Sequence, residues 1–175
     1  MIVRYTLCPV RSPIPALSGA TAIPRPLLAV RITGPRGSRL RDGLLDTGAD
    51  ETILDPSVAP QIGVDLNNAV EREVNLIGRG RIRCRYVPVQ LRITDGVSET
   101  YEWDTIVGFA PFPVLRCLLG FAGFLQFFDA DFFFGQTHRF RGDEFDKECG
   151  DQNPARTIRK KNNNLHCYYP DDRIP

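Results

Sequence analysis

The chain has 175 residues, of which 42% are hydrophobic and 25% charged, the composition of a folded domain with a core. A formal net charge of +1 gives no general attraction to nucleic acid or to a membrane surface. Five cysteines without a Cys-x-x-Cys pair, with only two histidines, argue against a zinc site, and we expect no cofactor. The odd cysteine count favours a reducing cytoplasm, and no apolar run is long enough to cross a bilayer.

The first 24 residues form a proline-rich N-terminal segment. Five prolines fall within residues 9–26, so we expect an extended connector without regular structure. Residues 26–33 then predict a strand, Gly34-Pro35-Arg36-Gly37 a hairpin turn, and residues 40–46 a second strand. Asp55-Pro56 predicts the start of a very short helix that ends at Gly63.

Residues 70–107 alternate between apolar and polar side chains, which is typical of strands. Val87, Val89, Leu91 and Ile93 share one face of such a strand. Asp95-Gly96 is a hairpin signal. The two glycines in residues 77–81 predict another hairpin tip.

A helix is predicted near the end of the folded region. Phe121, Phe124, Leu125 and Phe128 recur at the spacing of one helical face, and we expect this face to pack against the core. From residue 141 to 175 the chain becomes polar, and we expect a flexible tail. A basic block around Lys160-Lys161 offers a weaker alternative, nucleic-acid association, but neighbouring acids favour a solvated surface and no nucleic-acid partner.

The most informative segment is Leu44-Leu45-Asp46-Thr47-Gly48-Ala49-Asp50-Glu51-Thr52-Ile53-Leu54. It places Asp46 in a tight turn between two apolar strand segments. Gly48 lets the backbone approach the carboxylate, the Thr47 hydroxyl can fix the turn, and the small Ala49 leaves room for substrate. Asp50 can accept hydrogen bonds from a bound peptide. The alternative is a structural Asp-initiated turn without chemistry.

Acid–base hydrolysis by Asp46 requires a second carboxylate. Two carboxylates within hydrogen-bond reach share one proton, so one can act as a base that deprotonates a trapped water while the other acts as an acid that protonates a carbonyl oxygen. The chain contains a single Asp-Thr-Gly and no Asp-Ser-Gly, and Asp104-Thr105 is followed by isoleucine. A two-fold homodimer would supply the second group by placing Asp46 beside its own copy.

These residues resemble the retropepsin family of homodimeric aspartic proteases. The segment from Leu44 to Leu54 is similar to the family's active-site motif, and the strand of residues 25–32 to the one that precedes it. Leu118-Leu119-Gly120 resembles the second family motif, and the glycine-broken residues 77–81 fall at the position of the flap. The resemblance covers about residues 25–135 and is closest to stand-alone bacterial members.

The resemblance implies a mainly β fold, a small closed barrel with one C-terminal α-helix, assembled as a homodimer around an extended peptide. It makes Asp46 the catalytic residue, supported by Thr47 and Gly48, and assigns peptide-backbone binding to Asp50. The remaining implied contacts are with substrate, from the pocket residues Ala49, Ile53 and Leu118 and the flap residues Ile77, Gly78, Arg79 and Gly80.

The second motif departs from the family pattern. Gly120 is followed by Phe121 and Ala122, so the arginine that commonly pairs with the carboxylate at Asp50 is missing. Asp50 must then pair with another cation, such as Arg116, or remain solvated.

The resulting domain assignment is a Pro-rich segment at 1–24, a protease domain at 25–140 and a tail at 141–175. The expected function is an aspartic endopeptidase whose partners are its own copy and a peptide or protein substrate. The alternative is a dimerisation or peptide-binding module with little turnover. No Gly-x-Ser-x-Gly, His-Glu-x-x-His or dinucleotide motif points to another enzyme class.

Overall fold

The computed structural model describes residues 1–76, 80–97, 99–133 and 137–142. This part of the chain is mainly β. In chain order the strands are β1 Ile2–Arg4, β2 Thr6–Ile14, β3 Ala20–Arg25, β4 Leu27–Gly34, β5 Gly37–Leu45, β6 Ile53–Leu54, β7 Val70–Leu76, β8 Gly80–Thr94, β9 Thr100–Phe109, β10 Cys117–Leu119, β11 Phe128–Phe133 and β12 Thr137–Gly142.

Six strands close into a barrel. Neighbouring strands follow the order β4, β5, β10, β6, β9 and β8, and β4 pairs again with β8 to complete the ring. Strand β7 lies outside the ring, attached to β8. The predicted closed β-barrel is therefore confirmed. Two pairings within it, β5 with β10 and β6 with β9, are parallel.

The barrel core follows from the alternation of apolar residues along its strands. Val87, Val89, Leu91 and Ile93 are all buried, as predicted, while their neighbours along β8 face outward or are half-buried. Strand β4 contributes a second buried row with Leu28, Val30 and Ile32. These rows fix the strand register, because a shift by one residue would expose them.

The predicted C-terminal α-helix over residues 121–128 is wrong. The structure has only a three-residue 3-10 turn there, Leu125–Phe127. Gly123 has a φ of +89°, which interrupts a right-handed helix before it can begin. Phe124 is buried against Trp103, at a ring-centroid distance of 5.4 Å, whereas Phe128 already belongs to β11. The two phenylalanines therefore reach the core without sharing a helical face.

A short α-helix, α1, spans Val58–Ile62 and is the one α-helix in the described residues. Its predicted end is confirmed, because Gly63 adopts the left-handed conformation with a φ of +77°. No helix in the described ranges is long and apolar enough to cross a bilayer.

The proline-rich N-terminal segment also differs from its prediction. Instead of an irregular connector, β2 and β3 form an antiparallel two-stranded sheet. Every strand of such a sheet is an edge strand, so prolines such as Pro9 and Pro24 can occupy positions that donate no hydrogen bond. The register also shifts between Pro9 and Ile14.

A separate three-stranded sheet joins the beginning of the chain to its last described strand. Its order is β1, β12, β11, with β12 antiparallel to both neighbours. The domain boundaries at residues 24 and 140 stay predictions, and the predicted tail lies outside the described residues from 143 onward.

Candidate active site

Asp46 lies immediately after β5, in a turn fixed by backbone hydrogen bonds. Its N–H donates to the carbonyl oxygen of Leu119 at 3.1 Å, and its own carbonyl oxygen accepts from the N–H of Ala49 at 3.1 Å. The Gly48 N–H donates to Oδ1 of Asp46 at 3.0 Å. The Asp46 side chain is half-buried, and Thr47 and Gly48 are exposed. The turn therefore holds the carboxylate with one face open.

The segment after the turn lies against the chain that follows β10. The N–H groups of Phe121 and Ala122 donate to the carbonyl oxygens of Ala49 and Asp50 at 2.9 and 2.8 Å. The Thr52 N–H donates back to the Ala122 carbonyl oxygen at 2.8 Å. The second sequence motif is thus the structural support of the first.

Gly120 is required for this approach. A Cβ atom at Gly120 would lie 2.4 Å from the carbonyl oxygen of Glu51 and 2.7 Å from that of Ala49. Both contacts are with backbone, which cannot move away as a flexible side chain can. The glycine in the second motif therefore permits direct contact between the two loops.

Strand pairing brings together two of the three predicted pocket residues, Ile53 and Leu118. Leu118 pairs with Leu44 on one side and with Ile53 on the other. Ile53 is buried and packs in a small apolar cluster with Cys84 and Ala110, against which Leu118 also packs. Ala49 is half-buried. Ile53 and Leu118 thus belong to one apolar cluster, and the role of these two residues and of Ala49 as substrate pockets stays a prediction.

The predicted flap residues fall, along the chain, between two strands that pair as an antiparallel hairpin. Strands β7 and β8 pair continuously from Val70 with Tyr86 to Leu76 with Gly80. Gly80 has a φ of +71°, as suits a tight turn. The remaining flap residues, Ile77, Gly78 and Arg79, lie outside the described residues.

Asp50 is exposed, and in the described ranges its carboxylate has neither a hydrogen-bonding nor an ionic side-chain partner. Arg116, the suggested substitute for the missing family arginine, instead donates to Sγ of Cys8 at 3.8 Å. Phe121, at the position of that arginine, is 63% exposed. In the described ranges Arg116 is therefore not the partner of Asp50, and the environment of this carboxylate in an assembled site stays a prediction.

Sequence reasoning missed the environment of Glu51. Its carboxylate accepts hydrogen bonds from the Tyr86 hydroxyl and the Arg72 guanidinium. The Glu51 side chain is only 11% exposed, whereas Arg72 is 65% exposed. Glu51 lies within the active-site motif, but the partners are 21 and 35 residues further along the chain, and only the β7–β8 pairing places them beside it.

This environment keeps the neighbouring groups protonated. Burial, the hydrogen bond to Glu51 and the negative charge of Glu51 raise the pKa of the Tyr86 hydroxyl well above its usual value. Burial, and to a lesser extent Glu51, also raises the pKa of the Cys84 thiol to about 11. Cys84 and Cys117 are both buried core thiols, as predicted.

Asp55 supports the loop that leads into β10. Its Oδ2 accepts from the Val114 N–H at 2.7 Å, and its Oδ1 accepts from the Ser57 N–H at 2.8 Å. Burial acts to raise the pKa of Asp55, but the hydrogen bonds from Ser57 and Val114 and the charge of Arg41 outweigh it, so the pKa lies below its usual value. Asp55 thus helps to position the β10 segment that carries Leu118.

A polar cavity of about 420 Å³ adjoins Asp55, and none of the predicted site residues lines it. In the described part of the chain, no three His, Cys, Asp or Glu side chains are grouped as metal ligands would be.

Residues 22–87 match the family model described as retroviral aspartyl protease, and this range contains the Asp46 turn and most of the β7–β8 hairpin. The resemblance to the retropepsin family is confirmed over this range. Solved structures that match this chain include EIAV protease complexed with the inhibitor HBY-793. That match has 23% identity and a TM-score of 0.42, and covers 55% of this chain and 81% of the EIAV chain. No curated protein matches.

Proposed function

We propose that this protein is an aspartic endopeptidase that acts as a homodimer, with the Asp46 carboxylates of two subunits sharing one active site. The observation that carries the proposal is the Asp46-Thr47-Gly48 turn at the end of β5. Its Asp46 is half-buried and donates a backbone hydrogen bond to the carbonyl oxygen of Leu119. The match of residues 22–87 to an aspartyl protease family supports it. A single such turn per chain requires a second copy to complete the pair.

The two carboxylates would share one proton, because both cannot ionise cheaply at hydrogen-bond distance. The ionised one takes a proton from a bound water, and the protonated one donates to the carbonyl oxygen of the scissile peptide bond. The water oxygen bonds to the carbonyl carbon. Collapse of this intermediate breaks the C–N bond: the carboxyl group that took the water proton passes it to the leaving nitrogen, and a hydroxyl of the diol returns a proton to the other carboxylate, which restores the shared-proton state.

The proposed substrate is an extended peptide bound as an added strand under the flap formed by residues 77–80. Asp50 is exposed beside the turn and can accept hydrogen bonds from peptide N–H groups. Ala49, Ile53 and Leu118 would favour apolar side chains flanking the cleaved bond, because all three are apolar and Ile53 and Leu118 belong to one apolar cluster. Thr47, which is exposed, would meet its own copy beneath the pair of carboxylates.

The decisive experiment replaces Asp46 with asparagine, which keeps the shape of the side chain but removes the acid. We expect peptide hydrolysis to fall on the order of 1000-fold, with the circular dichroism spectrum unchanged. Asp42→Asn is the matched control, since Asp42 is exposed on β5, the strand that precedes the Asp46 turn. Hydrolysis at the wild-type rate in Asp46→Asn would remove Asp46 from the mechanism.

One observation favours a second candidate, a peptide-binding or dimerisation module with little turnover. In the described residues Asp50 has no cationic partner, and Phe121 stands where the family commonly has an arginine. A panel of unfolded protein substrates, with and without a statine-type transition-state mimic, separates the two functions. Binding of the mimic without any hydrolysis of the panel would favour the module.

We further propose a cytoplasmic location. Cys8, Cys84 and Cys117 are free and buried in the described part of the chain, as is usual in a reducing compartment.

A further inference from the structure

A half-buried carboxylate next to the proposed catalytic turn contacts both strands of the β7–β8 hairpin. Glu51 follows Asp50 directly, and its two oxygens accept from Arg72 and Tyr86. Arg72 lies on β7 and Tyr86 on β8, the strands that pair as far as Leu76 and Gly80. We call these three side chains the Glu51 bridge.

The Glu51 bridge connects the β7–β8 hairpin to a loop that is itself held by the barrel. The backbone around Glu51 is hydrogen-bonded to the segment after β10, through Ala49, Asp50 and Thr52. That side of the loop is therefore fixed to the barrel. Between this loop and the β7–β8 hairpin, the polar contacts in the described residues are made by side chains. Glu51 contacts both strands of the hairpin, β7 through Arg72 and β8 through Tyr86.

The low exposure of the Glu51 side chain favours the arrangement in which its carboxylate is paired with both donors. The Glu51 side chain is 11% exposed, so an unpaired carboxylate there would lose its hydration without compensation. Tyr86 packs beside Ile53 over Gly108, where an added Cβ would lie 3.1 Å from the tyrosine ring. The raised pKa of Tyr86 keeps its hydroxyl protonated and able to donate. The hairpin therefore has one favoured position relative to the loop.

We propose that Glu51 is a positioning residue that fixes the β7–β8 hairpin relative to Asp46 through Arg72 and Tyr86. The inference rests on the proposed protease function, because the hairpin would hold the substrate over the catalytic pair. Glu51 does not act on the reacting atoms. It fixes the described strands of the hairpin, Val70–Leu76 and Gly80–Thr94, relative to the loop that carries Asp46.

The test compares Glu51→Ala with Glu71→Ala. Glu71 also forms an ion pair on this hairpin, with Arg85, but that pair links β7 only to β8 and does not reach the loop. We expect Glu51→Ala to raise KM for a peptide substrate about tenfold while kcat changes by less than about twofold, as when binding common to ground and transition states is removed. Glu71→Ala should leave both constants unchanged.

Hydrogen–deuterium exchange gives a second measurement that does not depend on activity. Amides of residues 70–76 and 80–86 should exchange several-fold faster in Glu51→Ala and at the wild-type rate in Glu71→Ala. Unchanged exchange in Glu51→Ala would overturn the inference, as would a fall in kcat at constant KM. If the wild-type chain hydrolyses no peptide, the protease proposal fails, yet the exchange comparison still decides the role of Glu51.

Milder variants keep the inference testable if Glu51→Ala does not fold. Arg72→Ala and Tyr86→Phe each remove one donor to Glu51, and each should produce part of the KM increase. Glu51→Gln keeps an oxygen acceptor and should fall between wild type and Glu51→Ala. In the double variant Glu51→Ala/Arg72→Ala, KM should be no higher than in Glu51→Ala alone. Fully additive effects would contradict the bridge.

Discussion

Ile53 and Leu118 are paired directly across the antiparallel strands β6 and β10. On its other side Leu118 pairs with Leu44 of the parallel strand β5. The short strand β10 therefore lies between β5, which precedes Asp46, and β6, which follows it. The apolar residues expected to contact substrate are therefore held by the barrel itself. Their positions relative to Asp46 are set by strand register, which allows little adjustment.

If the catalytic pair forms between subunits, the specific activity of the enzyme must depend on its concentration. We expect activity per mole of chain to fall on dilution, as dimers dissociate and carboxylate pairs separate. Sedimentation velocity at the same concentrations should show the dimer fraction falling in parallel. Constant specific activity from particles of monomer size would contradict the shared site.

Substitution of Gly120 by alanine should damage both the fold and the site. The added Cβ would meet the carbonyl oxygens of Glu51 and Ala49 at 2.4 and 2.7 Å, and separating these loops should cost about 3 kcal/mol of unfolding free energy. Urea unfolding measures this loss. Gly19→Ala is the control: Gly19 has a φ of +79° but open space around it, so only backbone strain of about 1 kcal/mol is expected. Equal costs at the two positions would contradict the steric account.

Asp55→Asn should destabilise the protein in a pH-dependent manner. At pH 7 the loss of charge-assisted hydrogen bonds to Val114 and Ser57 should cost about 2 kcal/mol. The folded-state pKa of Asp55 lies below the ordinary aspartate value of 3.8, which applies to the unfolded chain. The contribution of Asp55 is therefore complete above that ordinary value and is lost as pH falls through the folded-state pKa.

Urea unfolding of wild type and Asp55→Asn at several pH values tests this. The difference in unfolding free energy should be constant from neutral pH down to the ordinary aspartate pKa of 3.8 and shrink below it. Asp42→Asn, at an exposed position, should change stability by less than about 0.5 kcal/mol throughout. A difference between wild type and Asp55→Asn that grows on acidification would have the wrong sign for a lowered pKa.

Phe124 and Phe121 form a matched pair for testing the region that the sequence predicts as a helix. Phe124 is fully buried against Trp103, so Phe124→Ala should cost about 4 kcal/mol. Phe121 is 63% exposed, and Phe121→Ala should change stability by less than about 0.5 kcal/mol. A helix with one apolar face would make the two losses similar. Unfolding midpoints at one fixed protein concentration separate these outcomes.

The sequence predicts the local features that depend on neighbouring residues. Alternation in β8 identifies its buried face, and Gly63 identifies the end of α1. The Asp46 turn can be recognised from its own residues: Asp46 accepts a hydrogen bond from the Gly48 N–H, and the apolar residues on either side form strands. Each of these features depends on interactions between residues close together in the chain, so a sequence pattern is enough to predict it.

The errors arise where tertiary contacts outweigh local pattern. The spacing of Phe121, Phe124 and Phe128 matches a helix, but the conformation of Gly123 and the packing of Phe124 on Trp103 decide the structure. The prolines of the N-terminal segment argue against strands, yet a two-stranded sheet has no interior strand for them to disrupt. The Glu51 bridge depends on strand pairing, and sequence spacing does not reveal it.

The hydrogen bond from the Asp46 N–H to the Leu119 carbonyl oxygen joins residues 73 positions apart. During synthesis, a nascent chain that has emerged only as far as β9 lacks this acceptor and the loop that supports the turn. The complete Asp46 turn therefore requires the chain as far as Leu119, so in the proposed enzyme an active carboxylate pair can form only after most of the barrel strands are available.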